Sequence, residues 1–192
     1  MPKPQVYVVK SCCPTISWRS GNWKDINKIA KVYKSVSGRV TVGCKDVTNM
    51  NHMFCNCSYI TTIDLSNFDT SNVVDMSSMF YDCDSLTTLD LSNFDTSKVK
   101  DMMRMFYGCS KLTTLDLSSF DTSKVKDMCA MFINCSNLTT IKGVIDMKSC
   151  KYFYEDMFYN CPKLAGVKIK NPPADFESKT GLSSSQYTVV NE

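Results

Sequence analysis

The stretch Asp101-Met-Met-Arg-Met-Phe-Tyr-Gly-Cys-Ser-Lys-Leu-Thr-Thr-Leu-Asp-Leu-Ser-Ser-Phe-Asp-Thr-Ser-Lys-Val-Lys126 repeats the segment immediately before it, Asp75 to Lys100, at 20 positions. The register runs well beyond these two copies. Cys57, Cys83, Cys109, Cys135 and Cys161 are evenly spaced with a period of 26, and Met53-Phe54, Met79-Phe80, Met105-Phe106, Met131-Phe132 and Met157-Phe158 precede them in step. A fixed period of roughly 20 to 50 residues marks a stacked-repeat architecture. Five repeats fill residues 49–178.

Within one repeat, Leu86-Thr-Thr-Leu89-Asp-Leu91 fits the leucine-rich pattern L-x-x-L-x-L. It predicts a short strand with Leu89 and Leu91 inward and Thr88 and Asp90 outward, because side chains alternate across a strand. Val99, Met102, Phe106 and Cys109 then step by three or four residues, which predicts a short helix or helical turn back to the next strand. On that reading Asp69, Asp95 and Asp121 cap the helices, and Asp75, Asp101 and Asp127 lie in their first turns. A lone unit of this length buries too little apolar surface to offset its ordering entropy, so the repeats must share a core. The expected fold class is an α/β repeat solenoid, a leucine-rich-repeat-like stack of short parallel strands and short helices with a cap at each end.

The flanks supply the caps. Residues 1–48 are expected to form a basic N-terminal cap, with a strand at Val6-Tyr-Val-Val9, a helix from about Asn22 to Lys34 and an incomplete first coil at Val40-Thr-Val42. Asn171-Pro-Pro173 ends the regular repeats, and residues 179–192 form the C-terminal capping segment, with a last strand from Tyr187 to Val190. The whole is expected to behave as one cooperative unit.

Composition narrows the function. The 192 residues are 43% hydrophobic and 21% charged, with 7 Gly and 6 Pro, which excludes a disordered or collagen-like chain. The longest apolar run, Met128 to Ile133, is far shorter than a membrane-spanning helix, so no membrane insertion is expected. Eleven cysteines, an odd number, read as mostly reduced thiols, and the first residues lack an apolar stretch of signal-peptide length. The expected location is cytoplasmic, with the cell surface or a phage particle as the alternative. A single histidine leaves little for His-based catalysis, so no enzyme, no cofactor and no metal are expected. Cys12-Cys13 and Cys55-Asn-Cys57 lack C-x-x-C spacing, His52 and Cys55 share only helical proximity, and one Cys per repeat beside Met and Phe suits a small core residue.

Charge is unevenly spread, at +8 over residues 1–45, −6 over 46–100, 0 over 101–141, +3 over 142–170 and −2 beyond. Stacking aligns Thr62, Thr88, Thr114 and Thr140 beside Asp64, Asp90 and Asp116, and the charge changes sign at Lys142 and Lys168. This strand face is the expected partner-binding surface, and a charged partner would dock on it with a defined polarity. The competing explanation is a solvated face copied along with the repeat. A second expectation is nucleic-acid binding by the N-terminal cap, where Lys24, Lys28, Lys31 and Lys34 line one helix face beside Trp18 and Trp23. A protein partner is favoured over nucleic acid, and a monomer over an oligomer.

The phrase Asp-Met-x-x-Met-Phe-Tyr-x-Cys-x-x-Leu-Thr-Thr-Leu-Asp-Leu-Ser-Asn-Phe-Asp-Thr-Ser resembles the BspA-type leucine-rich repeat family over residues 49–170. Lys142 to Tyr152 departs from it and loses the Phe-Asp-Thr-Ser turn, so a local irregularity is expected there. The resemblance implies a solenoid used in adhesion and protein recognition, found in bacterial surface proteins and in proteins of their phages, without catalysis. The resulting expectation is a non-catalytic interaction module, either a phage- or bacterium-encoded intracellular inhibitor or adaptor, or a surface or particle-borne adhesin.

Overall fold

A computed structural model describes residues 47–66 and 68–191. The expected N-terminal strand and helix, with Trp18, Trp23, Lys24, Lys28, Lys31 and Lys34, lie outside the described residues. The elements are β1 (Thr62–Ile63), β2 (Thr88–Leu89), β3 (Thr114–Asp116), β4 (Thr140–Lys142), β5 (Val144–Asp146), β6 (Val167–Lys170), α1 (Phe176–Thr180) and β7 (Tyr187–Val189). All strand pairs are parallel, and they form three small sheets, β1–β2, β3–β4 and β5–β6–β7, in place of the one continuous stack expected from the sequence. Strands this short give ladders that end easily. Continuity comes instead from isolated bridges running Asn49, Asp75, Asp101, Asp127, Phe153, each to the next.

Among the described residues the predicted repeat helices are absent. Along Met102 to Cys109, alternate amides look in opposite directions. Met105, Tyr107 and Cys109 donate to the carbonyls of Met102, Arg104 and Phe106 three residues back, each at 3.2 Å. Arg104, Phe106 and Gly108 donate instead to Cys129, Met131 and Ile133 of the next repeat, at 3.0, 2.9 and 2.8 Å. An α-helix would direct every amide four residues back. Two positions per repeat are also left-handed, His52, Ser78, Arg104, Ala130 and Asp156 at one and Asn56, Asp82, Gly108, Asn134 and Asn160 at the other, which no right-handed helix admits. The three- and four-residue apolar spacing arises because each tight turn returns a side chain to the same side, as a helix does.

Those side chains make the core. Phe54, Phe80, Phe106, Phe132 and Phe158 form one stack with centroids 5.4, 5.7, 5.5 and 5.2 Å apart and rings within 8° of parallel. Met76, Met79, Leu86, Leu89 and Leu91 are buried around it, as are their copies in the third repeat, while the first-repeat copies Ile60 and Ile63 are half-buried against it; Thr88 and Asp90 are exposed, as the strand alternation predicts. The cysteines finish the packing. Cys83, Cys109, Cys135 and Cys161 donate their thiols to the carbonyls of Phe54, Phe80, Phe106 and Phe132 at 2.9–3.2 Å.

The irregularity at 142–152 has a clear cause. Gly143 turns the chain at φ +92°, and a Cβ there would sit 2.7 Å from the backbone of Leu117, so only glycine fits. The turn introduces β5 and shifts its register, so that Val144 faces Lys168, two short of the full repeat distance that the earlier strand pairs keep. At the C-terminal end, α1 runs into a left-handed Gly181 and β7 pairs with β6. Among the described residues no helix is long and apolar enough to cross a membrane.

A second ladder ties repeats together through buried hydroxyls. Thr70, Thr96 and Thr122 each donate to a carbonyl and accept from the amide of the same aspartate in the next repeat, Asp95, Asp121 and Asp146, at 2.7–3.1 Å. Thr96→Val keeps the shape and removes both bonds, so it is expected to cost about 1–3 kcal/mol in urea unfolding, with Thr96→Ser much milder. A valine variant as stable as the parent would show that this ladder does not couple the repeats.

Candidate functional site

The proposed recognition face is built by the strands and the turn that follows each. Thr62, Asp64, Thr88, Asp90, Thr114, Asp116, Thr140, Lys142 and Lys168 are all exposed. Thr62 is in register with Thr88, and Thr114 with Thr140, and Asp116 pairs with Lys142. The side chains of Asp116 and Lys142 meet in an ion pair at 3.5 Å, with both groups more than half exposed, so its stabilising contribution is small. Lys168 is the exception. Because the register slips after Gly143, it faces Val144 and Thr188 instead of following Lys142, and the sign change rests on Lys142.

The face aspartates also have local work. Asp64, Asp90 and Asp116 accept the amides of Ser66, Ser92 and Ser118, each two residues on, at 3.0 Å, which turns the chain off the strand. The Ser92 amide and hydroxyl hold the Asp90 carboxyl below the usual range, and the Ser118 hydroxyl and amide do the same for Asp116. These carboxylates therefore stay charged on an exposed face. The arrangement can present a row of hydroxyls beside a row of fixed negative charges ending in a lysine.

The other two aspartate rows use the same geometry for structure. Asp69, Asp95 and Asp121 accept from Ser71, Ser97 and Ser123, and Asp75, Asp101 and Asp127 from Ser77, Met103 and Cys129. They cap turns, since no helix follows them. Burial, aided by neighbouring carboxylates, raises the Asp101 and Asp127 carboxyls above their ordinary range. Burial also pushes the Cys109 thiol up to about 12, consistent with a packed thiol and unlike a reactive one. No group of three or more His, Cys, Asp or Glu among the described residues could hold a metal ion.

A family model described as "Mycoplasma protein of unknown function, DUF285" matches residues 48–171. The chain belongs to this family. No curated protein and no solved structure matches it. The DUF285 match begins just before the Asn49 bridge and ends at Asn171, so it spans all five stacked phenylalanines and stops before α1 and β7.

Sequence reasoning missed one feature of these DUF285 repeats. Lys98, Lys100, Lys124, Lys126, Lys148 and Lys151 are all exposed on the turn after the second aspartate row, and the exposed Tyr152 and Phe153 follow them. The signal was present in Ser-Lys-Val-Lys, which recurs at 97–100 and 123–126.

The raised Asp101 pKa fixes the sign of a pH effect. A carboxyl whose folded pKa lies above its unfolded value contributes stability below the unfolded value, lost as pH rises through the folded one. At pH 7 the charged Asp101 is therefore a burden. Asn49 fills the same bridge position and accepts the Asn51 amide as the aspartates do. Asp101→Asn is expected to raise the urea midpoint at pH 7, with the gain shrinking as pH falls through the raised folded pKa and gone once pH is below the unfolded carboxyl value of about 3.9. A lower midpoint at pH 7 would contradict the assigned burial cost.

Proposed function

We propose that this chain is a non-catalytic protein-recognition module, a leucine-rich solenoid of the BspA-like kind, that engages its partner through the strand face. The observation that carries the reading is the two exposed, registered pairs, Thr62 with Thr88 and Thr114 with Thr140, beside carboxylates held charged at Asp90 and Asp116. Fixed charges on a rigid ladder lose little entropy on binding, and complementary charge raises both encounter rate and specificity. Lys142 next to Asp116 gives the row a direction, so a partner with basic groups facing the aspartates and an acidic group facing Lys142 would dock one way round. In this reading the chain acts as an inhibitor or adaptor by occupying a partner's surface, with no chemistry of its own. The BspA-type resemblance is also compatible with an adhesive role, in which the same face would meet a surface receptor.

The test is direct. The tagged chain is used to capture a protein from nuclease-treated host lysate, the captured protein is purified, and its affinity is measured for parent and for Asp90→Lys/Asp116→Lys. Charge reversal at two interface positions is expected to weaken binding about tenfold or more, chiefly through slower association at low salt. Unchanged affinity would remove the strand face from the binding surface.

A further inference from the structure

The lysines of the turn side form a second charged surface, independent of the strand face. Lys126 donates its amide to the Lys100 carbonyl at 2.8 Å, and Lys100 donates to Val74, so these residues occupy equivalent places in adjacent repeats, roughly 5 Å apart. Lys98 reaches Asn72 and Lys124 reaches the Ser97 carbonyl, which lays both side chains along the array. Among the described residues the ion pairs belong to Lys142 and Lys179, so none of Lys98, Lys100, Lys124, Lys126, Lys148 and Lys151 is neutralised by a salt bridge.

This basic row ends in a different kind of surface. After the Gly143 turn the Thr122 ladder partner arrives one residue early, at Asp146, while the bridge partner of Asp127 is again a full repeat on, at Phe153. The residue regained between them is taken up at Lys151-Tyr152, where earlier repeats have a single lysine. Tyr152 is 73% exposed and Phe153 57%. Beside them Met147, Lys148, Lys151, Tyr152, Asn171 and Pro173 line an open groove of about 470 Å³. Exposed aromatic rings next to a concave, partly apolar site are the usual anchors of a recognition surface.

We propose that this turn-side surface binds an extended acidic peptide segment, whose carboxylates lie along the lysine row and whose aromatic residue enters the groove at Tyr152. Charge complementarity selects the occupant. One face of an extended peptide presents a side chain about every 6.8 Å, which flexible lysines on a roughly 5 Å repeat can follow. The exposed Asp95 and Asp121, held charged by Ser97 and Ser123, interleave with the lysine row. Spaced carboxylates can avoid them, whereas a phosphate chain charged at every unit would be set against them. Pro173 and the exposed ring of Tyr152 give the groove the apolar wall that an aromatic side chain requires.

The test uses the full chain and a fluorescein-labelled peptide of alternating Glu and Ser ending in Trp, read by anisotropy at low salt. Binding is expected to weaken about tenfold in Lys100→Glu/Lys126→Glu, several-fold in Tyr152→Ala, and little in Lys142→Glu on the strand face. Lys100→Gln/Lys126→Gln, which removes charge without reversing it, should fall between parent and the Glu pair, and urea midpoints equal to the parent's check the fold. Replacing Glu by Gln in the peptide should abolish binding. The proposal is overturned by absence of binding at low salt, by an equal loss in Lys142→Glu, or by tighter binding of a single-stranded oligonucleotide than of the peptide. Because the probe and variants differ from those of the strand-face test, either surface can fail alone.

Discussion

The structure depends on where every second amide of the Met-Phe segment goes. In an α-helix these groups would be satisfied internally and the segment would be a self-contained rod. Here Phe54, Phe80, Phe106 and Phe132 all donate to the following repeat, at 2.8–2.9 Å. Burial without such partners would leave unpaired donors at the centre of the core, a cost that no single repeat could carry. The left-handed residues are what rotate alternate amides outward. A non-glycine residue there is strained by roughly 1–2 kcal/mol, and each turn holds two such positions, so the conformation persists only because the neighbouring repeat accepts the bonds. Phenylalanine stacking and thiol-to-carbonyl bonds then fill the space that these bonds bring to contact distance.

The same economy explains the aspartates. A carboxylate that accepts the amide two residues on closes a turn wherever the chain must change direction, and each of the regular repeats does this three times. A turn residue must keep a side-chain oxygen acceptor, as Asn49 does without charge, which excludes a basic residue there and limits where a surface can be diversified. Lys142 escapes the limit. It stands where Asp116 stands in the preceding repeat, but Gly143 makes the turn by its backbone alone, so no carboxylate is needed and the opposite charge is tolerated.

Much of this is legible in the residues. The constant period, the inward leucines and the outward Thr-Asp row follow from spacing and strand alternation. The helix does not, because apolar residues three and four apart serve both an α-helix and a chain of tight turns, and spacing alone cannot separate them. A discriminating signal exists in Asn56, Asp82, Gly108, Asn134 and Asn160, residue types that favour left-handed backbone, recurring at one position. The companion position, with His52, Ser78, Arg104, Ala130 and Asp156, gives no consistent signal, because Ser, Arg and Ala have no left-handed preference and the conformation is imposed by the next repeat. Lys168 falls out of line for a similar reason. Its place one full period after Lys142 implies alignment only while the register holds, and the backbone turn at Gly143 breaks it.

Both chemically distinct surfaces owe their special character to that one break. A perfect repeat can only copy charge, giving a ladder of one sign and no position that differs from the next. Gly143 admits a lysine into the aspartate row and brings the chain back one residue early, and the compensating residue at Lys151-Tyr152 restores the bridge register by bulging aromatics outward. The inner Phe132–Phe158 stack continues through the same repeat with a 5.2 Å separation, so the core does not register the irregularity. A stack held by backbone bonds and ring packing can thus localise a surface feature to one repeat without loss of its own order, because the bonds that cross to a neighbour at the varying positions, such as Ser78 to Met103 and Arg104 to Cys129, are made by backbone atoms whatever side chain stands there.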